Sequence, residues 1–163
     1  FVGFCFDINF FSFLLIRETW LECLHYQALT SGDRRETNDV HPLLCDKDLG
    51  PAWFRFLGDI GSKMSSSCVP KHRCGAHASG WLNGTHPTKA DGIVTRQVCF
   101  TFADSCCRRE INVKVRNCGK YFVYFIKGTP PQQRCHLHYC TTDFVTFRML
   151  SVKAVFLPRV TLY

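Results

Sequence analysis

Two sets of residues in this chain carry chemistry that constrains what it does. The first is Asn83-Gly84-Thr85, the one N-glycosylation acceptor triplet in the 163 residues. Its middle residue is Gly and not Pro, so the Asn amide can meet a transferase in an open turn. The second is a set of eleven cysteines, at 5, 23, 45, 68, 74, 99, 106, 107, 118, 135 and 140. Thiols in that number are rare in reducing compartments, and the set reads as a secreted or luminal disulfide framework. Acceptor triplets also occur by chance in cytosolic proteins. An oxidising compartment is what gives this one meaning.

Other site chemistries fit less well. Cys135, His136, His138 and Cys140 lie within CHLHYC and suggest zinc. Zinc sites usually pair two close ligands with two distant ones, and a metal here leaves the remaining cysteines unexplained. His136 and His138 share a face of an extended segment without needing a metal to do so. Cys68 and Cys74, which bracket Pro70, do not have zinc-knuckle spacing. A Cys–His nucleophile needs an unpaired thiolate beside a base. In an oxidised framework Cys5 is the spare thiol. The chain has no P-loop, G-x-S-x-G, H-E-x-x-H or paired-carboxylate motif. The expectation is a non-enzyme without cofactor or metal. A reduced intracellular zinc-binding domain is the alternative from another class, and a free-thiol assay separates the two.

The elements that position the acceptor can be read from pattern. Asn-Gly favours a turn, and Trp81 and Leu82 can anchor it to a core. Ile93–Val98 reads as a strand ending at Cys99. Trp53–Leu57 reads as an aromatic strand ended by Gly58 and Gly61. Ile111–Arg116 alternates, with Ile111, Val113 and Val115 toward a core and Asn112, Lys114 and Arg116 toward water. A turn at Asn117–Lys120 and a strand at Tyr121–Ile126 complete a β-hairpin with a loop of about four residues. The polar stretch TSGDRRETNDVHP reads as an exposed loop. Cys106 and Cys107 have Cα atoms about 3.8 Å apart, shorter than disulfides prefer, so each should bond to a different partner.

Composition sets the outer limits. With 46% hydrophobic and 20% charged residues the chain is not disordered, and its length suits one domain with flanking pieces. The net charge of +7 is scattered, its longest runs being Arg34-Arg35 and Arg108-Arg109. No nucleic-acid motif accompanies it, so the basic residues read as a solvated face and no nucleic acid is expected as partner. Residues 1–16 are apolar, yet short of the roughly 20 needed to span a bilayer, and they carry Asp7 and Asn9. They lack a basic n-region and a cleavage site. Residues 1–20 therefore read as a doubtful apolar leader or fragment artefact, and no transmembrane segment is expected. Residues 143–163 carry no cysteine and no clean period, and stand as an unassigned tail.

The spacing Cys23, Cys45, Cys68, Cys74, Cys99, Cys106-Cys107, Cys118, Cys135, Cys140 resembles the ten-cysteine, decoy-module domain of the uromodulin and pancreatic secretory granule membrane glycoprotein family. The matching words are CDKDLGPAWFRFLGDIGSKM, SSCVPKHRC, WLNGTHPTKADGIVTRQVC, DSCC, VKVRNCGKYFVYFIKGTPP and CHLHYCT. The resemblance covers residues 23–142.

It implies a mainly β (small α+β), disulfide-rich extracellular domain with small antiparallel sheets, short helices and long loops. It also implies the pairs Cys23–Cys118, Cys45–Cys135, Cys68–Cys106, Cys74–Cys140 and Cys99–Cys107, a choice among the roughly one thousand connectivities that ten cysteines allow. In function it implies a secreted, non-enzymatic module of innate defence, whose N-glycans engage bacterial fimbrial adhesins. Such a module is usually joined to EGF-like and zona pellucida type modules. In the family the adhesin-bound glycan lies on the aromatic strand. The matching position is about Phe125, which has no acceptor triplet, and Asn83 corresponds to another family site. A purely structural spacer of a larger extracellular or matrix protein is the alternative function.

Overall fold

The computed structural model describes residues 21–30, 34–39, 43–129 and 137–142. A one-turn helix, α1 (Leu21–Leu24), precedes seven strands: β1 (Gln27–Leu29), β2 (Ala52–Phe56), β3 (Ala78–Asn83), β4 (Ile93–Phe102), β5 (Ser105–Asn117), β6 (Phe122–Ile126) and β7 (Leu137–Tyr139). The class is mainly β. All seven strands join in one sheet of order β1-β2-β6-β5-β4-β3-β7, instead of several small ones. Both edges are parallel pairs, β1 with β2 and β7 with β3, and the pairs between them are antiparallel.

The β4–β5 hairpin forms the centre. Both strands are longer than pattern alone suggests: β4 continues past Cys99 to Phe102, and β5 begins at Ser105 instead of Ile111. The added stretch SCCRRE has no apolar alternation and is exposed. It is held by ladder pairing to β4 and by cysteine bridges, so periodicity could not reveal it. The β5–β6 hairpin turns where expected. The Cys118 N–H donates to the Tyr121 carbonyl at 2.8 Å, and the Gly119 N–H donates to Asn117 Oδ1 at 2.8 Å.

One face of the sheet carries the main core. Phe54, Phe56, Leu82, Val98, Phe100, Val113, Val115, Tyr124 and Ile126 pack there with Ile60 and Met64 from the loop after β2. Each fully buried side chain of this kind contributes roughly 1.5–3 kcal/mol. Residues 111–115 follow the expected alternation, but Arg116 does not face water. Its side chain is 12% exposed and meets Glu22 of α1 at 2.6 Å, because α1 covers that end of the opposite face. There the Tyr121 hydroxyl donates to the Cys23 carbonyl at 2.6 Å, and the Arg55 guanidinium stacks 3.6 Å from the Tyr121 ring centre. At the far end of the same face Val69, Cys74, Ala76, Trp81, Cys99 and Cys140 form a second, smaller cluster.

The polar stretch around residue 34 also departs from its reading as an exposed loop. Arg34 is 4% exposed and grips Asp46, itself 2% exposed, with contacts of 2.9 and 2.7 Å. Arg34 Nη1 also donates to the Tyr139 carbonyl at 3.2 Å, and the Tyr139 N–H donates to Asp46 Oδ2 at 2.8 Å. The Thr141 N–H donates to the Arg34 carbonyl at 2.7 Å. This ion pair thus covers the outer edge of β7, where backbone groups would otherwise be unpaired. Among the described residues no helix is long and apolar enough to cross a membrane.

Candidate functional site

The glycan acceptor sits where β3 leaves the core. Five residues of β3 are buried and the sixth, Asn83, is exposed. The strand is held from below by Trp81, whose indole N–H lies 2.9 Å from the Cys106 carbonyl and 3.2 Å from Thr101 Oγ1. Asn83 Nδ2 donates to Gln97 Oε1 at 2.7 Å, and Gln97 Nε2 donates to Glu110 Oε2 at 2.7 Å. The acceptor amide therefore leans across the sheet toward β4. A sugar on Nδ2 replaces one hydrogen and leaves the other for Gln97. Gly84 follows with φ +119°, a value that L side chains rarely adopt, and open space surrounds it.

The loop beyond the acceptor is pinned at several points. The Thr85 carbonyl accepts from Arg96 Nε at 3.1 Å, and the Pro87 carbonyl accepts from Asn117 Nδ2 at 2.9 Å. The Thr88 N–H donates to Asp91 Oδ2 at 2.7 Å, and this bond holds the Asp91 carboxyl below its ordinary pKa. His86 turns inward, with Nε2 2.8 Å from the Tyr124 hydroxyl. That hydroxyl already accepts from the Met64 N–H at 3.0 Å, so its own proton is directed to a neutral imidazole. Burial, reinforced by the charges of Lys63 and Arg96, lowers the His86 pKa to about 4. His86 had no assigned role in the sequence reading. Its signal was its place in WLNGTHP, directly after the acceptor.

The cysteines staple this arrangement. The structure joins Cys23 to Cys118, Cys68 to Cys106, Cys74 to Cys140 and Cys99 to Cys107. Cys106 and Cys107 thus take different partners. Cys45 is disulfide-bonded as well, and its expected partner Cys135 lies outside the described residues. So do His136 of the candidate zinc group, Cys5, and the segments 1–20 and 143–163. Of the remaining candidate ligands, Cys140 is committed to its bridge. His138 is 2% exposed, with Nδ1 donating to the Cys74 carbonyl at 2.7 Å and Nε2 3.7 Å from Asp46 Oδ1. The structure uses both to join β7 to the cysteine cluster and to the Arg34–Asp46 pair.

Between the two covered ends of the second face runs an open strip. Register places Asn83, Gln97 and Asn112 in one row across β3, β4 and β5. The next row runs Thr95, Lys114, Phe125 and Trp53 across β4, β5, β6 and β2. The Trp53 and Phe125 rings meet edge-to-face at 5.5 Å and remain half-buried. Beside Trp53 a hollow of about 320 Å³ is lined by His25, Tyr26, Gln27, Ala52 and Trp53.

Comparison with known proteins fits this arrangement. The family model of the uromodulin-like cysteine-rich domain matches residues 54–141. The chain is 43% identical over 120 residues to the pancreatic secretory granule membrane major glycoprotein GP2 of Canis lupus familiaris, and 41% identical over 120 residues to that of Homo sapiens. It is 38% identical over 120 residues to uromodulin of Mus musculus. Each alignment covers 73% of this chain, but only 23%, 22% and 18% of the respective relatives. The chain therefore spans about a fifth of the length of these curated relatives, and neither name is that of an enzyme. A domain with this many bridges is of the secreted or extracellular kind. The cysteine bridges, the sheet they staple and the family match agree: the chain belongs to the uromodulin-like domain family.

Proposed function

We propose that this chain is a non-enzymatic, secreted glycoprotein module that presents an N-glycan at Asn83 on a sheet held by five bridges. Those bridges are Cys23–Cys118, Cys45–Cys135, Cys68–Cys106, Cys74–Cys140 and Cys99–Cys107. The observation that carries the reading is the Asn83 amide, exposed at the end of an otherwise buried strand and followed by a loop pinned at both ends. A rigid mount fixes where the oligosaccharide leaves the surface, which favours recognition by lectins. The lectins in question are mannose-binding fimbrial adhesins of bacteria, which a soluble glycan can occupy as a decoy. EGF-like and zona pellucida type modules of a longer parent protein are the neighbours this module would serve.

The test is glycopeptide mapping of protein secreted from a eukaryotic host, followed by adhesin binding. Occupied Asn83 and mannose-specific binding that is lost in Asn83→Gln support the reading. An unoccupied Asn83 overturns it. A second reading, a structural spacer, is favoured by one observation: Phe125, at about the position of the family's adhesin-bound glycan, carries an aromatic ring packed on Trp53. Glycosylated protein that binds no adhesin supports the spacer.

A further inference from the structure

The geometry points to the open strip of the second sheet face as the resting surface of this chain's own Asn83 glycan, with Trp53 and Phe125 as its landing platform. The inference rests on the reading of Asn83 as glycosylated and says where that glycan goes.

Three observations converge on it. The acceptor is on the same face as the strip, since Asn83 pairs with Gln97 and Gln97 with Asn112. The linkage nitrogen leans along the strip and not away from it, because Asn83 Nδ2 is bonded to Gln97 Oε1 at 2.7 Å. The strip ends on two half-buried aromatic rings that the protein leaves uncovered, although both ends of the same face are capped, by α1 on one side and by the Val69–Ala76 region on the other.

The reach is right. From Asn83 to Phe125 is three strand spacings sideways and two residues along, about 16 Å. A stem of a few pyranose rings spans that distance. The chemistry of the path is right too. Gln97, Asn112 and Lys114 offer donors and acceptors to sugar hydroxyls. The C–H faces of pyranose rings are apolar enough to stack on Trp53 and Phe125, which withdraws aromatic surface from water. The hollow beside Trp53, lined by Tyr26 and Gln27, receives a terminal sugar. The glycan then lies along the sheet, and Trp53 is the residue that orients it.

The test uses secreted protein with uniform oligomannose glycans and ¹⁵N-labelled tryptophan. Glycopeptide mapping first establishes Asn83 occupancy. The indole N–H signals are then compared before and after an endoglycosidase trims the glycan to its first sugar. The expected result is a clear shift of the Trp53 signal, assigned with Trp53→Phe, while Trp81 stays in place. Nuclear Overhauser contacts between the Trp53 ring and sugar protons should vanish on trimming. An unmoved Trp53 signal with Asn83 occupied overturns the inference and leaves the glycosylation reading standing. A Trp53 shift that tracks protein concentration assigns the strip to a second copy and overturns it too. An unoccupied Asn83 overturns both.

Discussion

The Tyr124 hydroxyl lies 2.8 Å from His86 Nε2, and so ties the centre of the sheet core to the loop that follows the glycan acceptor. Tyr124 is fully buried on β6, and burial pushes its phenol pKa up. It therefore stays protonated and remains the donor. The acceptor loop owes its position to a neutral histidine.

That relationship gives a pH dependence with a definite sign. The folded state holds His86 at about 4, below its unfolded value near 6.5. Between those values the unfolded chain binds more protons, so stability falls as pH drops from about 6.5 to 4 and the effect levels off below. Because the ring is partly exposed, the loss is on the order of 1–2 kcal/mol. Urea denaturation at pH 7 and pH 4.5 should show a smaller pH difference in His86→Gln than in the parent. Equal differences would remove His86 from the account.

The Arg34–Asp46 pair is buried at both ends, and breaking it strands a charge. Asp46→Asn should cost about 3–5 kcal/mol, because Arg34 keeps its charge and loses its counterion. Replacing both residues with apolar ones of similar volume should cost less than Asp46→Asn alone. Denaturant midpoints of the two variants decide it. A double variant that is less stable than the single one contradicts this prediction.

Two buried tyrosines should respond differently to losing their hydroxyls. Tyr124→Phe deletes the partner of both His86 and Met64 and should cost about 1–3 kcal/mol. The Tyr139 hydroxyl has no hydrogen-bond partner among the described residues. Tyr139→Phe should therefore be neutral or slightly stabilising. Thermal midpoints of the pair provide the comparison, and the reverse order would show that the Tyr139 hydroxyl is satisfied after all.

The bridges should dominate stability. Each contributes on the order of 2–4 kcal/mol, and several together rival the 5–15 kcal/mol of a whole domain. Strong reductant should unfold the protein, as followed by circular dichroism. The Cys23–Cys118 bridge spans 95 residues and the Cys99–Cys107 bridge spans 8. In the chain-entropy view, replacing the first pair with Ser should cost about 2 kcal/mol more than replacing the second, less where other bridges already shorten the loop. Non-reducing peptide maps check the pairing itself, and a Cys106-to-Cys135 fragment would overturn it.

Much of this molecule is legible in the order of its residues. Ile111, Val113 and Val115 announce a half-buried strand, and Asn117–Lys120 announces its turn, because side-chain alternation and turn chemistry are local properties. The acceptor at Asn83 is a three-residue word, and the cysteine count alone points to an oxidising compartment. Other features depend on residues distant in sequence. Nothing local distinguishes Arg34 from its exposed neighbour Arg35, and its burial exists only because Asp46 and the Tyr139 backbone arrive beside it. The exposed start of β5 has no apolar pattern, since its strand character comes from pairing with β4. His86 is neutral because Tyr124, 38 residues away, turns a hydroxyl toward it.

The sequence by itself therefore determined the strand periods, the glycan acceptor and the requirement for disulfides. Only the tertiary structure decided that the strands form one sheet with parallel edges, and that the Asn83 amide leans toward Gln97 above an uncovered strip ending at Trp53 and Phe125. The physical reason is range. Propensity and periodicity act over a few residues, whereas register, burial of charge and the direction of a side chain are set by whichever distant strand comes to lie alongside.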